Sequence, residues 1–389
     1  MKKLRVGIIY GGRSGEHEIS VASAASIIRH LDPERYESVP IFIERNGCWN
    51  IPSEGPTVTS AAEVIQKAEP EKPQNSSQDR ETHFVACPNK ETILSIERLP
   101  VTNDQELTAN AIVTGANLDV IFPVLHGPYG EDGTVQGLLE LANIPYIGAG
   151  VAGSAVGMDK AITKKLFQAS SLPVVKYVFI FRNEWKQTPE AVKTKVRKEL
   201  QFPVFVKPAN LGSSVGISKV QTIDKLAAAV SIASDFDRKI VIEEAVSEAR
   251  EIECAVLGNE DPIASIPGEI VPSREFYDYE AKYLDTDSRL LIPAPLTKTQ
   301  TETVQQLSVQ AFRTLECAGM ARVDFLLDGH RKKIFLNEVN TIPGFTTISM
   351  YPRLWEASGI NYAALLDRLI HLALERHQEK QTLRINHLL

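Results

Sequence analysis

Three oxygen-bearing side chains near the C-terminus have the types and spacing to hold a metal ion. Residues 321–327 (Ala-Arg-Val-Asp-Phe-Leu-Leu) and 334–340 (Ile-Phe-Leu-Asn-Glu-Val-Asn) each read as a buried strand, and Asp328-Gly329 offers a turn between them. A hairpin of this kind brings Asp324, Glu338 and Asn340 together; Glu338 and Asn340, two positions apart, share one sheet face. Carboxylates and an amide oxygen are hard donors, suited to a Mg²⁺ ion that keeps several waters and shares phosphate oxygens with a nucleotide. Strand carboxylates are more often solvated on an outer face. Here the apolar neighbours and the cation Arg322 favour metal.

A second element supplies what such a metal would need. Residues 204–217 read as a strand, a Gly/Ser loop (Gly212, Ser213, Ser214, Gly216) and a returning strand, with Lys207 at the loop base. Glycines let successive N–H groups converge on an anion, the serine hydroxyls add donors, and the lysine adds a point charge. The loop is not a Walker A motif, because no Gly-Lys-Ser/Thr opens a helix. Alone it also reads as a plain hairpin with a mobile tip; with an independent metal site downstream, a nucleoside triphosphate clasp is the better reading. Residues 240–246 form a buried strand ending in Glu243 and Glu244, an edge able to hold a base amino group, and Glu251 can accept from ribose hydroxyls. Taken alone, acids after a strand are usually solvated.

These groups need a scaffold, and the chain is long enough for two or three cores at 389 residues. Its 43% hydrophobic and 23% charged content is ordinary for a globular protein, and a net charge of −7 argues against a broad grip on nucleic acid or anionic membrane. Cys48, Cys87, Cys254 and Cys317 are scattered without a CxxC pair, as expected of a reducing compartment. No segment approaches the ~20 apolar residues of a membrane helix, and residues 6–10 are too short for a signal peptide. A cytoplasmic location is expected.

The N-terminal part reads as a strand (4–10), a turn, a helix with Val21, Ala24, Ala25, Ile28 and Leu31 on one face, and a strand (38–43), the βαβ opening of a doubly wound domain. Its glycines do not fit G-x-G-x-x-G. Residues 69–80 are polar and proline-bearing, an exposed loop or insertion. Strands at 120–125 and 145–148 flank a helix at 135–142, and a second domain starts near Gly150. The expected fold class is α/β and α+β. It divides into an α/β domain at 1–149 with an insertion near 53–110, a central subdomain at 150–235 and a C-terminal subdomain at 236–389.

The order of phosphate loop, acidic strand end and metal hairpin resembles the ATP-grasp superfamily, here preceded by a Rossmann-like domain. Two strings narrow the resemblance to the D-alanine–D-alanine ligases. His-Gly-Pro-Tyr-Gly-Glu-Asp-Gly-Thr-Val-Gln-Gly at 126–137 looks like the first signature of that family, and 315–344, with Gly-x-x-Arg-x-Asp and Glu-x-Asn-x-x-Pro-Gly, looks like the second. Residues 276–283 (Phe-Tyr-Asp-Tyr-Glu-Ala-Lys-Tyr) resemble the family's active-site loop, and 11–20 its N-terminal substrate segment.

The resemblance implies that ATP phosphorylates the carboxylate of one D-alanine and that the amine of a second attacks the acyl phosphate, for peptidoglycan precursors. It implies Mg²⁺ (two ions, Mn²⁺ as an alternative) on Asp324, Glu338 and Asn340. ATP phosphates would meet Lys160, Lys207, Lys282, Gly212, Ser213 and Ser214; adenine would meet Glu243 and the Val246 backbone, and ribose Glu251. Glu16 would take the first ammonium group, with His126 and Tyr277 nearby. Arg322 and the Gly344 amide would stabilise the oxyanion, and Ser349 would bind the second carboxylate. Tyr283 would tie the loop to Ser213 and Glu16; relatives that make D-alanyl-D-lactate lack this tyrosine, so it favours an amine acceptor over a hydroxy acid. D-Serine or D-lactate ligation stays the rival within the class, since one hydroxyl is hard to reject by sterics. A non-catalytic ATP-grasp nucleotide-binding regulator is the rival outside it, against which intact Asp324, Glu338, Asn340 and Arg322 argue. A homodimer is expected by resemblance. Without it, Glu16 would equally serve a helix dipole and His126 a structural role.

Overall fold

The computed structural model describes residues 2–67, 80–84, 93–98, 111–272 and 289–384. The chain divides into two compact units, one comprising Met1–Gly148, Gly344–Pro352 and Ile360–Leu389, the other Ala149–Pro343 and Arg353–Gly359.

The first unit is built on a sheet of β1 (Leu4–Gly11), β2 (Tyr36–Ile43), β3 (Trp49–Ile51), β4 (Arg80–Phe84), β5 (Ile93–Arg98), β6 (Ala111–Gly115) and β7 (Val120–Pro123), ordered β6-β5-β4-β3-β2-β1-β7. β2, β1 and β7 run parallel, because a helix crossover joins β1 to β2. Beyond β2 the pairing turns antiparallel: Glu44 N–H donates to the Cys48 carbonyl at 2.8 Å, closing a tight hairpin with Gly47 in the left-handed region. The insertion read near 53–110 thus contributes β4 and β5, which extend the sheet between β3 and β6. Residues 69–79 of its polar stretch lie outside the described residues. The strand expected at 145–148 is a single bridge between Ile121 and Tyr146.

Helix His17–His30 is buried on more than the one face expected. Ile19, Ala22, Ser23 and Ile27 are fully or nearly fully buried, while Val21 and Ile28 are only half-buried. Its outer side is covered by the chain's last segments: Phe345 N–H donates to Ser23 Oγ at 3.1 Å, and the His30 ring stacks on Tyr362 with centroids 4.4 Å apart. The linear division at 236–389 groups those segments with the C-terminal sheet, whereas by contacts they pack with the first unit. The apolar stripe Leu365, Leu366, Leu369, Ile370 needs a partner, and sequence alone does not name which one.

The second unit contains two antiparallel sheets. β8 (Tyr177–Phe181), β9 (Val204–Pro208), β10 (Ser218–Val220) and β11 (Lys239–Glu244) lie in the order β10-β9-β11-β8. Alternate residues Val178, Ile180, Val204, Val206, Ile240 and Ile242 pack on Val192, Val196, Leu226 and Val230 of two helices. The other sheet comprises β12 (Arg250–Gly258), β13 (Ile263–Ala264), β14 (Gly268–Val271), β15 (Arg289–Leu291), β16 (Gly319–Leu327) and β17 (Ile334–Asn340), ordered β15-β14-β12-β16-β17 with β13 on β12. One face (Ile252, Cys254, Val256, Val323, Phe325, Leu327) joins Val304, Ala311 and Phe312 of helix Lys298–Thr314 in a single core. Strict alternation then leaves Glu251, Glu253, Arg322 and Asp324 on the other face.

Candidate active site

The β16–β17 hairpin forms as expected, but not with a two-residue turn. Its connection runs from Asp328 to Lys333. The Asp328 carboxylate closes it by accepting from His330 and Arg331 N–H at 2.9 and 2.7 Å, and the Asp328 N–H donates to the Lys333 carbonyl at 2.9 Å. Asp324 pairs with Glu338 and Arg322 with Asn340, but Phe325 pairs with Leu336, so Asn337 is an extra residue on β17. The bulge resets the alternation. Without it, Glu338 and Asn340 would share the face of Leu336, which is fully buried in the core. With it, Glu338 and Asn340 join Asp324 on the polar face.

Asp324 is gripped from two sides. Arg322 donates Nε to Oδ1 at 2.8 Å and Nη2 to Oδ2 at 2.7 Å, and Asn340 Nδ2 donates to Oδ2 at 2.8 Å. Arg322 Nε also lies 2.9 Å from Glu253 Oε2. Lys160 Nζ lies 3.4 Å from Glu338 Oε2 and donates to the Leu211 carbonyl at 2.8 Å, linking the hairpin to the Gly/Ser loop. Lys207 Nζ is 3.5 Å from Asn337 Oδ1 and pairs closely with Glu243. Among the described residues no group of three or more His, Cys, Asp or Glu side chains is placed to hold a metal. The third donor here is an amide oxygen, and two carboxylates with an amide on one face are hard oxygen ligands that fit Mg²⁺ or Mn²⁺.

Helix Lys160–Ala169 presents two of its three lysines inward, Lys160 and Lys164, and leaves Lys165 exposed. Asp159 caps it, accepting from Ala161 and Ile162 N–H at 3.0 and 3.1 Å. Lys160, Lys164 and Phe167 recur at helical spacing and are all buried. Lys164 Nζ lies 2.8 Å from Glu243 Oε2, with side chains 1% and 2% exposed. Burial alone would raise the Glu243 carboxyl, but the Lys164 and Lys207 ammonium groups pull its pKa down to about 2. Burial also opposes the Lys207 charge, yet Glu243, Glu338 and Glu251 outweigh it and hold that pKa above its ordinary value. For Lys164 burial wins, with Lys207 adding to it, and its pKa is lowered.

The loop from Asn210 to Gly216 is anchored at its root, where Asn210 donates from N and Nδ2 to Asp237 Oδ2 at 2.8 and 2.9 Å. At its tip Ser213 and Ser214 both adopt positive φ, 51° and 59°, a conformation that costs non-glycine residues about 1–3 kcal/mol each and recurs at ligand clamps. The Gly212 carbonyl accepts from Val215 N–H at 3.3 Å. Glu251 lies on β12 on the same face as Asp324, and Val246 just beyond β11 is half-buried.

The remaining predicted residues that the structure describes lie in the first unit. Glu16 precedes helix His17–His30 and is half-buried; the Gly127 backbone approaches so closely that a Cβ there would lie 3.3 Å from Glu16 Oε2. Thus the N-terminal segment and the 126–137 string come together. They jointly line a cavity of about 320 Å³ that includes Ser14, His126 and Tyr129. His126 is buried three residues beyond the end of β7. Gly344 and Ser349 also meet, since a Cβ on Gly344 would lie 3.0 Å from Ser349 Oγ, and Ser349 Oγ accepts from Thr346 N–H at 3.0 Å. Tyr277, Lys282 and Tyr283 lie outside the described residues. Two buried residues escaped the sequence reading. Lys164 signals itself as a lysine on the apolar face of its helix, and Glu253 as an acid two positions from Glu251 on the same strand face.

An anchored Gly/Ser loop, paired lysines and an oxygen-bearing hairpin linked through Lys160 place the protein among the ATP-grasp enzymes. The family model described as D-ala D-ala ligase N-terminus matches residues 5–149, and that for the C-terminus matches 166–371. A D-alanine–D-alanine ligase from Solibacter usitatus is 49% identical over 98% of this chain and 99% of its own. Among solved structures, the D-alanine-D-alanine ligase from Coxiella burnetii superposes with a TM-score of 0.78 at 36% identity, covering 98% of this chain and 97% of its own. The VanG D-Ala:D-Ser ligase from Enterococcus faecalis does so at 0.80 and 31%, covering 96% and 100%. The chain belongs to the D-alanine–D-alanine ligase family.

Proposed function

We propose that this enzyme condenses two D-alanines into D-alanyl-D-alanine at the expense of ATP, and that the residues described above divide the work. The observation that carries this reading is the convergence of Lys160 and Lys207 on the Asn337–Glu338 bulge, which joins phosphate cations to metal-binding oxygens. D-Alanine as the second substrate is supported by 46–49% identity to D-alanine–D-alanine ligases over nearly the whole chain.

In this reading the adenine amino group donates to Glu243, Val246 contributes a backbone contact and Glu251 accepts from ribose. Lys160, Lys207 and Lys282, with the N–H groups and hydroxyls of Gly212, Ser213 and Ser214, hold the phosphates. Asp324, Glu338 and Asn340 would hold two Mg²⁺ ions, or Mn²⁺, which supply charge neutralisation at the transferring phosphoryl group. Glu16 binds the first ammonium group, with His126 and Tyr277 beside that substrate. Its carboxylate oxygen attacks the γ-phosphorus, releasing ADP and leaving an acyl phosphate. The deprotonated amine of the second D-alanine, whose carboxylate Ser349 binds, attacks the acyl carbon. Arg322 and the Gly344 amide stabilise the tetrahedral oxyanion until phosphate departs. By resemblance, Tyr283 would favour an amine acceptor over a hydroxy acid. No covalent enzyme nucleophile is needed; positioning and charge do the work.

The enzyme acts in the cytoplasm as a homodimer, supplying dipeptide for peptidoglycan; in chain order it divides at 1–149, 150–235 and 236–389, with Gly344–Pro352 and Ile360–Leu389 packing on the first of these. Carboxyl-¹⁸O-labelled D-alanine tests the chemistry: one label should appear in the released phosphate. Phosphate free of label would rule out the acyl phosphate.

A further inference from the structure

Glu243 carries two ammonium groups, and only one of them has a second task. Lys207 reaches towards Asn337 on the metal hairpin and is a phosphate ligand in the proposed reaction. Among the described residues Lys164 has no such outlet. Its side chain is 1% exposed, one helical turn beyond Lys160, between Glu243 and the ring of Tyr177, whose centroid is 5.7 Å from Nζ. Tyr177 is itself the cross-strand partner of Glu243 on β8 and β11, so the ammonium is enclosed by the strand pair that carries the carboxylate.

When a triphosphate draws Lys207 towards its oxygens, Glu243 still needs a counter-charge, since a buried carboxylate without one neutralises or turns away. We infer that Lys164 is a positioning residue that keeps Glu243 ionised and fixed once Lys207 has engaged phosphate, and thereby selects a 6-aminopurine over a 6-oxopurine nucleotide. An ionised carboxylate accepts from an exocyclic amine and repels a carbonyl oxygen at the same position. A protonated or mobile Glu243 could donate to that carbonyl, and discrimination would fall. The inference rests on the adenine role proposed for Glu243.

The test compares ATP with GTP in steady-state assays of the full-length enzyme with saturating D-alanine, alongside melting curves. Lys164→Met should lower the ATP:GTP ratio of kcat/KM by about tenfold or more, raise KM for ATP, and leave kcat at saturating ATP within about threefold. Lys164→Gln, which keeps a donor without the charge, should do the same more weakly. A folded Lys164→Met enzyme with reduced melting temperature and an unchanged ratio would overturn the inference, because a purely structural lysine predicts that result. If Lys164→Met does not fold, Glu243→Gln and the Lys164→Met/Glu243→Gln double variant decide. A lysine acting through Glu243 adds nothing to selectivity once Glu243 is gone, and a further shift in the double variant would contradict the inference. Glu243→Gln with unchanged ATP:GTP selectivity would instead remove the adenine role itself.

Discussion

Asp324 and Glu338 stand directly opposite each other across β16 and β17, and the extra residue Asn337 is taken up in a bulge, so that Glu338 faces its partner while Leu336 stays in the core. Deleting Asn337 should therefore leave Ile334, Leu336 and Val339 inward and Glu338 and Asn340 on the polar face, now in regular alternation. The variant should fold and retain Mn²⁺ binding within about tenfold of the parent, read by electron paramagnetic resonance. Complete loss of Mn²⁺ binding from a folded protein would contradict the phase assignment.

Glu338→Gln should cut turnover at least about a hundredfold, because the carboxylate serves both proposed metal ions and pairs with Lys160. Steady-state kinetics with Mg²⁺ and direct Mn²⁺ titration together check this. Near-normal turnover would refute the metal assignment.

Phe345 is fully buried among Phe122, Tyr351 and Tyr362, with ring centroids 5.3, 5.4 and 6.2 Å away, and it adjoins Gly344. Phe345→Ala should cost about 3–5 kcal/mol by chemical denaturation. Because Gly344 and Ser349 are carried on the same segment, KM for the second D-alanine should rise more than KM for ATP. An equal rise in both would mean that the segment does not serve the acceptor.

Burial pushes the Cys254 thiol up to about 11 and Cys317 up to about 12. At pH 8 no more than about a thousandth of either is thiolate, and only the thiolate reacts. Alkylation of the native protein at that pH, followed by peptide mapping, should label the exposed Cys48 and spare both. Labelling of the two should appear only on unfolding; native labelling at a rate matching Cys48 would contradict their burial.

Much of this site is legible in the sequence because its residues are local. Asp324, Glu338 and Asn340 fall on one short hairpin, and Lys207 and Ser213 on one strand and loop, so period and turn chemistry suffice. Sequence spacing missed what depends on phase or on distant returns. A bulge at Asn337 is invisible to a strict two-residue period, and the turn at Asp328 widened because its side chain closes the loop on backbone donors. The burial of Lys164 depends on Glu243, 79 positions away, and the covering of helix His17–His30 depends on Phe345 and Tyr362. Those are tertiary facts: a lysine on the apolar face of its helix hints that Lys164 is buried, but no local pattern names its partner.

The most direct test of the whole account is an ATP-dependent product assay with D-alanine as the sole amino acid, repeated with D-serine or D-lactate added. The account predicts D-alanyl-D-alanine from D-alanine alone, with one ADP and one phosphate per dipeptide, and little mixed product when the other acceptors compete. No ADP formation with D-alanine alone, or turnover that appears only on adding D-serine or D-lactate, would contradict it.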